Sequence, residues 1–360
     1  MSTTHTWKGG GNPNSSGPFI FDKSQYTDGQ PFEPGDTLVV NSGQATIASR
    51  NGSLIYLTTG NYVFNGAALD TQHIGLDPAS TLSVNGPGQF QWVLEDQFVN
   101  DGTIQIGSSA GSANAYIALY NSTASSSNTV TLTNNGSITI QNNSPVLLQL
   151  AIDTPRMLIN AAGASLNVKS GSSLNYSNFV SPLVGDTNSN TTNNGLITVS
   201  GAAGQKTNAD LYGSVQGSGL LSVRGASGDK VTDTIAYISG TASGTFDIAS
   251  GELDLSVPPA SGAINFLDND SVLYDDNNNG QYLSNSPYGA TINGFQAGDQ
   301  IDVVDSSFGA ALNLSGYSLS WDASKNLDLP HFPCCRCKLM QHLGREHAGA
   351  GSRRDHTSIA

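Results

Sequence analysis

Asn134-Asn135-Gly136-Ser137-Ile138-Thr139-Ile140 is the clearest copy of a short unit that recurs along this chain. Asn100-Asp101-Gly102-Thr103-Ile104-Gln105-Ile106 and Asn193-Asn194-Gly195-Leu196-Ile197-Thr198-Val199 repeat it closely. Gly217-Ser218-Gly219-Leu220-Leu221-Ser222-Val223 and Ala249-Ser250-Gly251-Glu252-Leu253-Asp254-Leu255 are degenerate copies. Ala161-Ala162-Gly163-Ala164-Ser165-Leu166-Asn167-Val168 carries one extra residue. Each copy reads as a turn followed by a short strand. Asn and Gly are expected to supply a positive-φ turn, and apolar residues at every second position turn one face inward.

The anchoring glycines, 102, 136, 163, 195, 219 and 251, lie between 24 and 34 residues apart. A helical repeat would hold its period and show 3.6-residue apolar spacing. Uneven coils that each contain a short strand predict a right-handed parallel β-solenoid with loops of varying length. One coil cannot bury its inward face alone, so stacking is required. Inward Ile, Leu and Val then form aliphatic ladders, and Asn at a corner can form an amide ladder between rungs. The alternative is a β-sandwich, which also has many short strands and turn signals.

Composition agrees with an all-β chain. Of 360 residues 41 are Gly, only 12% are charged, and Glu occurs only at 33, 95, 252 and 346. Apolar residues make up 37% and recur in alternating runs, so the composition is not that of a disordered chain. A net charge of −14 argues against nucleic acid or an anionic membrane as partner. No apolar run approaches the roughly 20 residues that span a bilayer. The start, Met1-Ser2-Thr3-Thr4-His5-Thr6, is polar and carries no classical secretory signal.

Residues 1–50 read as an entry and capping unit, 51–256 as the solenoid, 257–329 as an Asp/Asn-rich segment with a terminator, and 330–360 as a non-homologous tail. The entry unit holds Trp7-Lys8-Gly9-Gly10-Gly11 and Pro34-Gly35-Asp36-Thr37-Leu38-Val39-Val40. It resembles the start of bacterial β-helix adhesins and autotransporter passengers. Trp7 is expected to cover the open end of the solenoid; stacking on a sugar is its alternative. Pro258-Pro259 breaks the pattern. Thr291-Ile292-Asn293-Gly294-Phe295-Gln296-Ala297-Gly298-Asp299-Gln300-Ile301-Asp302-Val303 resembles the element that ends β-solenoid regions in secreted alphaproteobacterial proteins. In such proteins from acetic acid bacteria a Hint autoprocessing domain often follows. The resemblance covers roughly residues 1–329 and implies an extracellular or cell-surface structural and adhesive protein. A carbohydrate or cell-surface ligand is then the expected partner, with self-association through the solenoid ends.

The tail holds Cys334, Cys335 and Cys337, four of the six His and five of the 14 basic residues. That shift reads as sequence not selected to fold with the rest, as a frameshift near Leu329 would produce. The Cys cluster lacks the second pair that zinc sites show. Ser108–Ala115, Ser122–Asn128 and Gly185–Asn194 read as loops.

Asp275-x-Asn277-x-Asn279-Gly280 matches the first half of an oxygen-ligand calcium loop. Ser286 stands where a complete loop has Glu, so any calcium site here would have to recruit Asp268, Asp270 or Asp276. An Asp/Asn loop without metal is the alternative. An enzyme acting on acidic polysaccharides, a lyase or hydrolase, would need a carboxylate constellation, and none is evident in the repeats. His73 reads as a lone hydrogen-bonded polar residue, and Ser is abundant without a Gly-x-Ser-x-Gly elbow. The sequence thus predicts a non-catalytic protein; a carrier for a lost Hint domain is a third reading.

Overall fold

In the computed structural model the described residues are 2–8, 24, 26–41, 44–48, 54–65, 67–86, 89–107, 112–120, 129–150, 156–178, 189–211, 213–257, 259, 261–277, 290–295 and 298–305. They form two sheets of parallel strands, with one 3-10 turn at Val231–Asp233. The first sheet runs, in spatial order, through Thr4–Thr6, Asp36–Val40, Gly60–Asn65, Thr81–Asn85, Thr103–Ile106, Ser137–Ile140, Ser165–Lys169, Leu196–Ser200, Leu220–Arg224, Thr245–Ala249, Gly262–Phe266 and Ala290–Asn293. Spatial order equals chain order, so each coil adds one strand above the last.

The second sheet forks at the long strand Gln89–Asn100. Its Gln89–Glu95 part pairs with Asn114–Tyr120, and its Gln97–Asn100 part pairs with Val130–Asn134. One arm continues through Pro145–Leu150, Ser173–Asn178, Thr207–Leu211, Thr234–Ile238, Glu252–Leu255, Val272–Asn277 and Gln300–Asp305. The other continues through Arg156–Asn160, Ser189–Asn193 and Ser214–Gln216. Below the fork, Ala68–Leu76 serves both arms and receives Gln44–Ala48 and Ile55–Tyr56 on its two halves. Each coil therefore has three faces: the first sheet, then the second and third faces formed by the two arms. Toward the end the third face shrinks to the bridge Val215–Ala242, and strands alternate between the first two faces. Every ladder between these strands is parallel, as in Ser137–Ile140 on Thr103–Ile106. A sandwich of antiparallel hairpins is thereby ruled out.

In-register stacking builds the core. On the first face Leu38, Tyr62, Leu82, Ile104, Ile138, Leu166, Ile197, Leu221, Phe246 and Ile264 stand one above another. Val40, Phe64, Val84, Ile106, Ile140, Val168, Val199, Val223, Ile248 and Phe266 form a second column two residues along. All are buried. Each such side chain contributes about 1.5–3 kcal/mol of transfer free energy, which a coil gains only when its neighbours cover it.

Two polar columns run up the corners. Between the third and first faces, Asn100 donates to Asn134 Oδ1 (2.7 Å), Asn134 to Asn160 Oδ1 (2.8 Å) and Asn160 to Asn193 Oδ1 (2.8 Å). Each amide also donates to a main-chain carbonyl, from Ser137, Ser165, Leu196 and Leu220 in turn. Between the first and second faces the buried residues are hydroxylic. Ser144 Oγ accepts from Ala113 N (2.8 Å), Ser172 Oγ from Ser144 N (3.0 Å) and Thr207 Oγ1 from Gly171 N (3.0 Å). Buried Thr234 and Ser271 extend this column.

The repeat glycines act differently from expectation. Of the six, only Gly163 has positive φ. A Cβ on Gly136 would run into the Gly102 carbonyl, and one on Gly219 into the Gly195 carbonyl. These positions need glycine because successive corners approach too closely for any side chain. The copy anchored at Gly251 is also displaced. Glu252–Leu255 lies on the second face, and the first-face strand of that coil is Thr245–Ala249. Asn114 and Ala115 begin a strand rather than end a loop, and Ser189–Asn193 is a strand. Past Pro258-Pro259 both sheets continue in register to Asp305.

Gly136→Ala is expected to cost ~1–3 kcal/mol through overpacking of the corner. Asn134→Ala is expected to cost about 1–3 kcal/mol for each amide group it leaves unmatched. Urea unfolding followed by circular dichroism measures both, and wild-type midpoints in either variant would contradict the stacking.

Candidate functional site

One interior cavity is lined wholly by described residues. A gap of about 30 Å³ is lined by Trp92, Ile106, Ile117, Leu132 and Leu158 and is apolar throughout. A water there would find no polar partner. The ends, corners and outward faces carry the polar groups described next.

At the entry, Trp7 is 4% exposed and packs edge-on against Tyr26, with ring centroids 6.4 Å apart. Burial leaves no ring face for a sugar, and Trp7 belongs to the hydrophobic core of the first coil. Beside it, His5 Nε2 lies 3.0 Å from Asp36 Oδ2 and Nδ1 lies 2.9 Å from Asp28 Oδ2. Asp36 also accepts the Thr3 N–H (2.6 Å) and the Glu33 N–H (2.8 Å). The Thr3 amide, then His5, then the Glu33 amide hold its pKa down at about 2, from 3.8. The exit uses the same device. Gly298, at φ +108, precedes Asp299, which accepts the Ser271 N–H (3.1 Å). Phe295 packs edge-on against Phe266 at 5.2 Å. The described residues of the Gly-Phe-x-x-Gly-Asp element, Gly294, Phe295, Gly298 and Asp299, thus lie between Ala290–Asn293 and Gln300–Asp305.

Of the calcium candidates, Asp275 and Asn277 lie in the strand Val272–Asn277, in register with Val303 and Asp305. Asn279 lies outside the described residues, as do Gly280, Ser286 and the whole of 330–360 with its Cys and His. Asp268 and Asp270 sit instead at the corner below. Ser250 Oγ lies 2.7 Å from Asp268 Oδ2 and 2.8 Å from Asp270 Oδ1, and Ser271 Oγ donates to Asp268 Oδ1 (2.6 Å). Burial pushes Asp268 up, but hydrogen bonds from Ser271 and Ser250 outweigh it and hold the carboxyl below its usual range. Among the described residues no three His, Cys, Asp or Glu side chains gather as a metal site.

His73 is not alone. It and Asp96 both have positive φ and occupy successive corners, with Nε2 3.3 Å from Asp96 Oδ2. Gln72 Nε2 donates to the same oxygen (3.1 Å). This contact joins the bend of Ala68–Leu76 to that of Gln89–Asn100, where each strand passes from the second face to the third.

The outward faces hold what the sequence reading missed. On the second face Asp210, Tyr237, Asp254 and Tyr274 stack in register, and Tyr237 Oη lies 2.8 Å from Ser256 Oγ. Tyr237 is half-buried and Tyr274 is buried. On the third face Tyr56 stands exposed. No local spacing announces these residues, because their neighbours come from other coils.

Comparison with protein-family models, curated proteins and solved structures finds no match. The adhesin-like reading therefore rests on the residues that carry the resemblance.

The Asp36 carboxylate favours the folded entry unit when ionised. Its contribution is present above pH 3.8 and is lost as pH falls through about 2. Trp7 fluorescence, assigned by its loss in Trp7→Phe, should report opening of the first coil in that window. Asp36→Asn should lower stability at pH 7 and remove the transition. An unchanged acid profile in that variant would contradict the assignment.

Proposed function

We propose that this chain is a non-catalytic structural and adhesive protein of the cell exterior whose outward faces bind carbohydrate. The supporting observation is how polar side chains are divided between corners and faces. Buried Asn100, Asn134, Asn160 and Asn193 are committed to rung-to-rung hydrogen bonds. The outward positions of the first face from Thr37 up to Asn167 are hydroxyls, amides and two valines, and its charged outward positions, Lys169, Arg224 and Asp247, come only after that stretch. An uncharged stretch of this length on a chain of net charge −14 suits a neutral, hydroxyl-rich partner better than an ionic one. Rungs repeat at about 4.8 Å, so donors and acceptors recur at a fixed interval along the solenoid. The three cysteines all lie between 334 and 337, so the solenoid needs no disulfide, which suits export.

Purified protein should be retained on insoluble neutral polysaccharide, with no release of reducing ends and no unsaturated product absorbing in the ultraviolet. Turnover would contradict the reading and favour a lyase or hydrolase. Neither retention nor turnover would favour a passive carrier region.

A further inference from the structure

Resting on that carbohydrate reading, we infer that Tyr56 is the stacking platform of a neutral-glycan site on the third face. Among the described residues, Tyr56 is the one aromatic side chain that stands exposed, at 46%. Its strand pairs Tyr56 opposite Gly75 in the next coil. A Cβ on Gly75 would lie 2.7, 2.7 and 2.9 Å from Tyr56 Cδ1, Cε1 and Cζ. A point this close to three consecutive ring atoms at near-equal distances lies above the ring plane near its centre, so the ring lies face-on over Gly75. One ring face is thereby seated on main chain, and the other is turned outward.

The ring is also held at its tip. Its hydroxyl is hydrogen-bonded to Asp101, and this bond, then burial, then the charges of Asp101 and Asp77 push the phenol up to about 12. It stays protonated at any ordinary pH and donates to Asp101. Asp101 Oδ1 in turn accepts Asn135 Nδ2 (2.7 Å). Asp77 accepts Thr59 Oγ1 (3.0 Å) and the Ala79 N–H (3.0 Å). A surface aromatic fixed at one face and at its hydroxyl has little rotamer freedom left to lose on binding, which is the condition for useful stacking energy.

Above Gly75 the same position is filled by Val99, which is buried, and then by the half-buried Thr133, Ile159 and Thr192 on successive rungs. This strip of apolar and hydroxyl side chains continues from the platform along the solenoid axis. Beside it the successive corner positions are Asp77, Asp101, Asn135, Ala161 and Asn194, which apart from Ala161 offer carboxylate and amide oxygens and amide donors. An apolar strip edged by hydrogen-bonding groups matches a pyranose chain, which has C–H faces and hydroxyl edges. Asp77 and Asp101 would repel a uronate or sulfated sugar, so the ligand is neutral. Tyr237, half-buried with its hydroxyl on Ser256, offers no comparable face.

The test compares retention of the wild-type chain and its variants in affinity gels. The probes are xyloglucan, galactomannan and mixed-linkage β-glucan, with polygalacturonate as the anionic control. Tyr56→Ala should weaken retention by a neutral glycan about tenfold or more, the scale of a stacking anchor. Tyr56→Phe, which keeps the ring but loses the bond to Asp101, should weaken it less. Tyr237→Phe should leave it unchanged, and the melting curve of Tyr56→Ala should match wild type. Retention of a neutral glycan by Tyr56→Ala as strongly as by wild type would overturn this site and leave the carbohydrate reading standing. Preference for polygalacturonate would overturn the neutral ligand. No retention of any glycan by the wild type would overturn both.

Discussion

The structure depends on in-register parallel stacking at about 4.8 Å per rung. Every residue has a counterpart directly above and below it, so a side chain succeeds only if its neighbours tolerate it. Apolar columns satisfy this by packing. Asparagine satisfies it because its amide both donates and accepts, so Asn100, Asn134 and Asn160 pass one hydrogen bond upward and spend the second N–H on a carbonyl, and Asn193 ends the column by accepting from Asn160 and donating to the Leu220 carbonyl. A carboxylate could not extend such a column, since it only accepts. The hydroxyl column at the other corner obeys the same rule, with each oxygen taking an N–H from the coil below. Both columns remove main-chain and side-chain polar groups from competition with water and fix the register that the aliphatic ladders alone would leave free to slip.

What the sequence reveals follows from where the coil is constant. The corner before the first face is two residues long at 101–102, 135–136 and 194–195, so its Asn-x-Gly signature and the strand after it are legible. From the second face to the third the described strands are separated by intervals of unequal length, from Tyr120 to Val130, Leu150 to Arg156, Asn178 to Ser189 and Leu211 to Ser214. That variation erases the phase of the strands on either side. Asn160 escaped notice because the corner after it, 161–164, is longer. The Gly251 copy falls on the second face rather than the first because the third face has nearly vanished by then and Thr245–Ala249 follows Gly244 without an Asn. The Asn-Gly pairs looked like positive-φ turns, but the requirement there is clearance between stacked corners, a property of two coils at once.

The same reason hides the surface. Tyr56 acquires a role only from Gly75 in the next coil and Asp101 in the one after, and Trp7 loses its sugar-binding alternative only through burial against Tyr26. The entry and exit, by contrast, were marked locally. Gly35-Asp36 and Gly298-Asp299 each place a positive-φ glycine before a buried acceptor that captures main-chain N–H groups of the neighbouring coil. Chemistry on this scaffold is therefore read from columns across coils rather than from runs along the chain.

The most direct test of the stacking order is cysteine cross-linking in a chain with Cys334, Cys335 and Cys337 changed to Ser. Ser222 and Asp247 are Cα partners on the first face. Adjacent strands hold such Cα atoms within the span a disulfide bridges. The pair Ser222→Cys with Asp247→Cys should cross-link under mild oxidation in the folded protein. Ser222→Cys with Asp254→Cys, the partner implied by aligning the sequence repeats alone, should not. The reverse outcome would contradict the register on which the columns, the corners and the Tyr56 surface all rest.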